Sequence, residues 1–385
     1  MSGPAVVVVG AGVVGASAAY HLARRGCRVT VLERSAGLGD GSTGRATGGF
    51  RAQFASEVNV RLSMLSLERL LQFEAETGVD SGYRPNGYLF VARSECELEA
   101  LRAACAVQRR AGHAETIEVG PDEIARLNPA VSRDGVLGGT FGPRDGTIRP
   151  REILRGYAEA AARLGARFRF DCGSVELDTH GDRVVAVRAR GAAYPADVVV
   201  NAAGAWAAAV ARAVGVSLPV TPLRRQVAIT HPCDALPEAM PLTIFLDDGF
   251  HLRVRDGRVL LLLPADHECD DPFDTTFDEE WLERVVSRAR ERVPCLARAE
   301  IDREGCWAGL YEMSPDKHAI LGASTEVPNF YLANGSSGHG VMHAPALGLL
   351  LAETIVDGAA TSLDVTALRP SRFAEGRPNP VSELL

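Results

Sequence analysis

The residues best suited to chemistry come almost at once. Gly10-Ala11-Gly12-Val13-Val14-Gly15 follows directly on the uncharged run Val6–Val9, and an acid, Glu33, closes the next apolar run. Each position has a physical use. Gly10 frees the backbone for a tight turn, Gly12 lets it approach a pyrophosphate, and Gly15 lets a helix pack closely on a strand. A helix starting here offers phosphates its unpaired N–H groups and the positive end of its dipole. Glu33 can accept hydrogen bonds from a ribose diol and would repel a 2′-phosphate. The expected ligand is therefore a dinucleotide without that phosphate, FAD or NAD rather than NADP.

Further stretches have the composition of ligand-facing loops. Gly39 to Arg51 is small, hydroxylated and glycine-rich, with Arg45 and Arg51 in it. Such a loop can lie along an extended cofactor and offer N–H and hydroxyl groups to its edges. Ala196 to Trp206 reads as a buried strand ending in Ala202-Ala203-Gly204, where a backbone can approach a ligand closely. Asn334-Gly335-Ser336-Ser337-Gly338-His339-Gly340 is a second glycine turn, with a helix over His343–Val356 and Pro345 in its first turn. A second helix N-terminus is thus expected to point at whatever the first one binds.

The elements that must position these groups follow from periodicity. Val6–Val9 reads as a strand buried on both faces, Ala16–Arg25 as a helix and Arg28–Leu32 as a strand. Ser56–Thr77, Glu95–Ala111, Arg151–Leu164 and Phe277–Val293 read as helices. Gly87–Val91 and Pro222–Ile229 read as strands, and Phe250–Val254 with Arg258–Leu263 as a hairpin about Asp256-Gly257. The fold expected is an α/β, Rossmann-like FAD-binding domain plus an α+β substrate domain with a mostly antiparallel sheet. Residues 1–81, 146–215 and 308–372 fall to the first, residues 82–145 and 216–307 to the second, and 373–385 to a tail. From Ser371 on no pattern is evident, and a partner is expected to order that segment.

Composition narrows the function. At 385 residues the chain is long enough for two cores, and its net charge of −8 gives no electrostatic case for nucleic acid. No apolar run approaches a membrane span, and no basic region precedes the first strand, so a cytoplasmic protein is expected. The eight cysteines (27, 96, 105, 172, 233, 269, 295, 306) show no C-x-x-C spacing, which points to reduced thiols and no metal. Lys317 is the sole lysine, which removes that residue from most catalytic schemes.

Taken in order, the glycine turn with Glu33, the Gly41–Arg51 loop, the Val198–Trp206 strand end, Trp307–Tyr311 with Pro315-Asp316, and Gly338-His339-Gly340 running into Ala344-Pro345-Ala346 resemble the FAD-dependent amine oxidoreductases of the D-amino-acid oxidase superfamily. Glycine oxidase, monomeric sarcosine oxidase and the flavin subunits of heteromeric sarcosine oxidases and dimethylglycine dehydrogenases are the members it resembles. The resemblance implies hydride transfer from the carbon beside an amine nitrogen to flavin N5, leaving an imine, with the protein supplying position and electrostatics. It implies FAD contacts from Gly10, Gly12, Val13, Val14, Gly15, Glu33, Arg34, Gly41, Ser42, Thr43, Arg45, Thr47, Gly48, Gly49, Val175, Ala203, Gly204, Trp206, Gly309, Gly335, Gly338, His339, Gly340 and Val341.

Four catalytic candidates follow from it. Arg51 stands where relatives hold a substrate carboxylate, a task suited to a forked guanidinium. Tyr311 stands near the substrate, His339 beside the flavin, and His251 where it could accept the amine proton near neutral pH. Arg225 is a weaker candidate. Gly309 replaces the cysteine that links flavin covalently in monomeric sarcosine oxidase, so noncovalent FAD is expected. That enzyme's oxygen-activating lysine has no counterpart on Arg258–Leu263, and Met342 replaces its second carboxylate-binding lysine. The electron acceptor, oxygen or a protein partner, stays open. So do oxidation of a 2-hydroxy acid or other C–OH substrate, and a role as flavin subunit of a heteromer.

Overall fold

The computed structural model describes residues 3–264 and 271–381. Cys269 and residues 382–385 of the tail lie outside them. A six-stranded sheet runs in the order Ile320–Ala323, Phe330–Asn334, Val198–Asn201, Ala5–Val9, Arg28–Leu32, Arg167–Arg169. All its pairs are parallel except the first, which is antiparallel. The Val6–Val9 run lies at its centre because it is covered on both sides. One face packs on helices, and the other on Val184 and Val187 of a small antiparallel meander over Glu176–Pro195.

Helix Val13–Arg24 connects the first two strands and presents small residues, Ala16, Ala18 and Ala19, to its neighbours. Small size is what brings the elements close. A Cβ on Gly15 would lie 2.1 Å from the Gly10 carbonyl oxygen, and one on Gly348 would lie 2.2 Å from Ser17 Oγ. Gly348 belongs to helix Gly340–Val356, so the two helices pack almost backbone to backbone. That helix starts before His343, which puts Pro345 inside it rather than in its first turn. Proline withdraws one N–H from the ladder there, and the next N–H, of Ala346, donates to Ser66 Oγ at 3.3 Å.

The second sheet has eight strands, ordered Trp307–Met313, Thr221–Ile229, Arg258–Leu262, His251–Arg255, Leu242–Phe245, Tyr88–Ala92, Gly138–Gly142, Ile117–Val119. Only Leu242–Phe245 against Tyr88–Ala92 is parallel. The Asp256-Gly257 turn has φ of 55° and 69°, as a tight hairpin turn requires. Side chains alternate across this sheet. Leu89, Val91, Leu252, Val254 and Leu261 pack on helix Glu279–Arg292, while Tyr88, Leu242, Ile244, His251 and Leu262 face the other way, into a cavity. Strand Trp307–Met313 pairs residue for residue with Thr221–Val227. It therefore lies in this sheet, whereas the sequence division at residue 308 groups it with the dinucleotide-binding unit. Among the described residues no helix is long and apolar enough to cross a membrane.

The tail is tied down from within. Arg372 donates to both oxygens of Asp316, at 2.8 and 2.9 Å, and both side chains are fully buried. Asn379 adds its backbone N–H and its amide at 3.0 and 3.1 Å. Residues up to Asn379 are thus held by contacts within the chain itself. Burial alone would raise the Asp316 carboxyl, but the bonds from Arg372, Asn379 and the His318 N–H hold it down to about 2. The stability it contributes is present above its ordinary range and is lost as pH falls towards 2. Replacing Arg372 by Met leaves that carboxylate buried without a countercharge, and a loss of roughly 3–5 kcal/mol is expected in denaturant titrations at pH 7. A loss below about 1 kcal/mol would mean that the carboxylate reaches water instead.

Candidate active site

A cavity of about 1040 Å³ opens between the carboxyl ends of the parallel strands and the face of the second sheet opposite helix Glu279–Arg292. Carboxyl strand ends are where open α/β sheets bind ligands. Gly10 turns the chain there with φ of 103°, and a Cβ would lie 2.4 Å from the Ala202 carbonyl oxygen. Glu33 is held at the end of its strand by N–H groups of Ala11 and Ser35, at 2.8 and 3.0 Å. Of the first helix's N-terminal N–H groups, that of Val13 donates to Thr43 Oγ1 at 3.1 Å. The hydroxylated loop thus caps the helix while bordering the cavity. Ser42 Oγ donates to the Leu310 carbonyl at 2.6 Å and Trp307 Nε1 to that of Arg45 at 2.8 Å, which ties the loop to the second sheet.

Most of the expected cofactor contacts come together on this cavity. Gly10, Gly12, Val13, Val14, Glu33, Arg34, Gly41, Ser42, Thr43, Arg45, Thr47, Gly48, Gly49, Val175, Ala203, Gly204, Trp206, Gly309, Gly338, His339, Gly340 and Val341 all line it. The Arg34 guanidinium lies 4.4 Å over the Trp206 ring. Two expected contacts lie elsewhere. Gly15 packs on Gly10, as its helix–strand role requires, and Gly335 packs on Ser314, where a Cβ would come to 3.0 Å. Gly338 leaves room for Tyr311, whose ring a Cβ would meet at 2.5 Å.

At the other end of the cavity stand Arg51, His251, Tyr311 and His339, with Arg225. Arg51 is buried. Its Nη1 donates to the Gln53 carbonyl at 2.5 Å, and its Nη2 lies 3.3 Å from His339 Nε2. A guanidinium only donates, so Nε2 accepts and the imidazole proton sits on Nδ1. Phe54 stacks under Arg51 at 4.0 Å. His251 Nδ1 is 2.9 Å from the Gly249 carbonyl, so Nδ1 carries the proton and Nε2 is an acceptor. Burial, opposed in part by that bond and reinforced by Arg225 and Arg51, pushes this imidazole down to about 4. The expectation that it titrates near neutrality is corrected: the desolvated ring beside two cations stays neutral. Burial raises the Tyr311 hydroxyl, against Arg225 and Arg51, which lower it.

Other groups escaped sequence reading. Tyr88 lines the cavity from a stretch legible only as a strand, and burial pushes its hydroxyl up to about 12. Lys317, set aside in the sequence, lines the cavity too, from a left-handed backbone with φ of 58°. Glu312, next to Tyr311, also lines it. Its Oε1 accepts from the Ser336 N–H at 3.3 Å, while Oε2 is buried with no protein partner. Ser336 Oγ and both amide atoms of Asn334 make no full hydrogen bond either, though both side chains lie close enough to act on this carboxyl. Burial, countered by N–H groups of Ser336 and Gly335 and by the Ser336 and Asn334 side chains, pushes the Glu312 carboxyl up to about 7. One acid at the end of a strand gives no signal of this in sequence. Glycine-walled at one end and edged with unpaired buried polar atoms at the other, the cavity suits a long molecule with phosphates and a polar ring, as FAD has. No metal-binding cluster occurs among the described residues.

Residues 5–354 match the FAD dependent oxidoreductase family. The chain is 30% identical to bovine "FAD-dependent oxidoreductase domain-containing protein 1", over 96% of its own length and 85% of the relative's. It is 29% identical to human mitochondrial dimethylglycine dehydrogenase over 96% of its length, but spans only 44% of that protein. The solved L-proline dehydrogenase of P. horikoshii superposes with a TM-score of 0.89 at 29% identity, covering 98% of this chain and 100% of that one.

The raised carboxyl has a measurable consequence. An acid whose folded pKa lies above its unfolded value destabilises the fold progressively as pH rises from about 4.5 to about 7. Glu312→Gln removes that contribution. Thermal melts of parent and variant at pH 5 and pH 8 are expected to show a smaller drop across this range in the variant. Equal drops would mean that Glu312 is ionised throughout. Asp145, also held up to about 7 by burial, acts in the same sense and leaves part of the slope in place.

Proposed function

The chain belongs to the FAD-dependent oxidoreductase family, and from that membership we propose that it oxidises a carboxylate-bearing secondary amine, an N-substituted or cyclic amino acid. Its cofactor is FAD, and its donors are amines or amino acids. The observation that carries the finer reading is Arg51. This buried guanidinium borders the cavity next to a helix N-terminus, with no carboxylate within ion-pair distance among the described residues. Such a cation is stabilised when a ligand brings the missing charge.

Bound FAD would accept a hydride from the carbon next to nitrogen, and the imine left behind takes up water to give a carbonyl compound and an amine. The chain's own residues do the rest. Arg51 holds the substrate carboxylate, itself held by the Gln53 carbonyl and His339. The positive potential of Arg51 and Arg225 disfavours an ammonium, so the amine sheds its proton to solvent and presents a lone pair. His251 Nε2, neutral and aimed as an acceptor, takes the remaining N–H and orients it. Tyr88, Leu242, Ile244 and Leu262 exclude water around the reacting carbon. FAD is held without a covalent link. Gly309 has no thiol, and a Cβ there would lie 3.0 Å from Arg45 Cβ, while Cys306 bonds the Asp302 carbonyl and does not line the cavity.

Two measurements test this reading. Acid precipitation of the purified yellow protein is expected to leave the flavin in the supernatant; flavin in the pellet would mean a covalent bond. Anaerobic mixing is expected to bleach the flavin with N-methyl or cyclic amino acids and not with 2-hydroxy acids. Arg51→Met is expected to raise the amine concentration for half-reduction by about 100-fold. Bleaching by hydroxy acids alone would assign the C–OH chemistry instead. Reoxidation in air then shows whether oxygen or a partner takes the electrons.

A further inference from the structure

The cavity holds a second cation that a monocarboxylic amine would leave unanswered. Arg225 comes from strand Thr221–Ile229 and lines the cavity, its guanidinium carbon 5.8 Å from the centre of the Tyr311 ring. Its neighbour Arg224 sits on the opposite side of the strand and is paired with Asp274 at 3.1 Å. Arg225 has no such pair among the described residues. Its Nη1 donates to the Arg224 carbonyl at 3.4 Å. Arg51 is in the same position. The carboxylate that acts on it, Asp145, accepts instead from the Ala52 N–H and the Gln53 amide, at 2.7 and 2.9 Å. Both cations line the cavity that Tyr311 and His251 also line, and both act on those two groups. Arg253 is also buried but does not reach the cavity.

Arg51 is buried and Arg225 half-buried; a cation drawn from water without a counterion is costly, and two bordering one space repel each other as well. A ligand that brings two negative charges relieves both. The FAD pyrophosphate is not that ligand for Arg225: its cradle is at Gly10–Gly12 on the first sheet, while Arg225 stands beside Tyr311 on the second. Resting on the amine-oxidation reading above, we propose that the substrate is a dicarboxylic secondary amine, one carboxylate on Arg51, the other on Arg225, and the nitrogen between them at His251. Its simplest form is an amino acid whose nitrogen carries a carboxyalkyl group. Loss of a hydride and a proton from the C–N unit gives an imine, and water splits that imine into a 2-oxo acid and a primary amino acid. Both electrons go to FAD, so no further reactant is required.

Paired ligands test this on the holoenzyme. Iminodiacetate and sarcosine differ by one carboxylate; oxydiacetate and methoxyacetate differ in the same way and have no nitrogen to oxidise. Binding of the two ethers, read from the flavin absorbance change, is expected to favour oxydiacetate by about 100-fold. Iminodiacetate is expected to bleach the flavin at a correspondingly lower concentration than sarcosine. Arg225→Met is expected to erase both preferences by weakening the dicarboxylates far more than their monocarboxylate partners, and Arg225→Lys to restore part of them. Equal affinity for the two ethers in the parent, or a preference that survives Arg225→Met, overturns the assignment while leaving amine oxidation standing. If no amine of either kind bleaches the flavin, the amine reading itself fails, and the assignment with it.

Discussion

The structure depends on how closely two helices can approach. Val13–Arg24 and Gly340–Val356 come from opposite ends of the chain, yet both begin at the carboxyl edge of the same parallel sheet. They meet through the missing side chain of Gly348 against Ser17, while Gly15 seats the first helix on the Gly10 turn. A methyl group would come within 2.1 Å of a backbone atom at Gly15 and 2.6 Å at Gly348, and the two positive helix ends would part. Their convergence makes one cavity with favourable potential for anions at two places, the start of each helix.

The second sheet completes that cavity by register rather than by composition. Strand Trp307–Met313 pairs along Thr221–Val227, which sets Tyr311 and Arg225 on one wall, and the His251–Arg255 hairpin strand adds His251. The Ser42 and Trp307 bonds clamp this wall to the cofactor loop, so the two sheets cannot shift independently without breaking them. Pre-positioning of this kind is how an enzyme whose chemistry resides in its cofactor contributes to rate.

Electrostatically the site separates its groups by burial. The imidazole of His251 is pushed down and kept neutral, the carboxyls of Asp145 and Glu312 are pushed up, and the arginines keep their charge because guanidinium does not release its proton in this range. The result is a cavity bordered by Arg51 and Arg225, with a neutral imidazole beside them. Such a potential favours anionic over cationic ligands.

Local rules were enough to read the glycine turn, Glu33, the alternating strands and the Asp256-Gly257 hairpin, because each depends on residues near in sequence. The order of motifs pointed to Arg51, Tyr311 and His339, which border one cavity in the structure. Sequence could not reveal that Tyr88, Glu312 and Lys317 border the cavity, that His251 is too desolvated to titrate near neutrality, that Trp307–Met313 belongs to the second sheet, or that Arg372 and Asn379 pin the tail to Asp316. Those outcomes depend on pairings between distant segments and on how much water each group loses. Burial and register are properties of the assembled layers, and no single segment carries them.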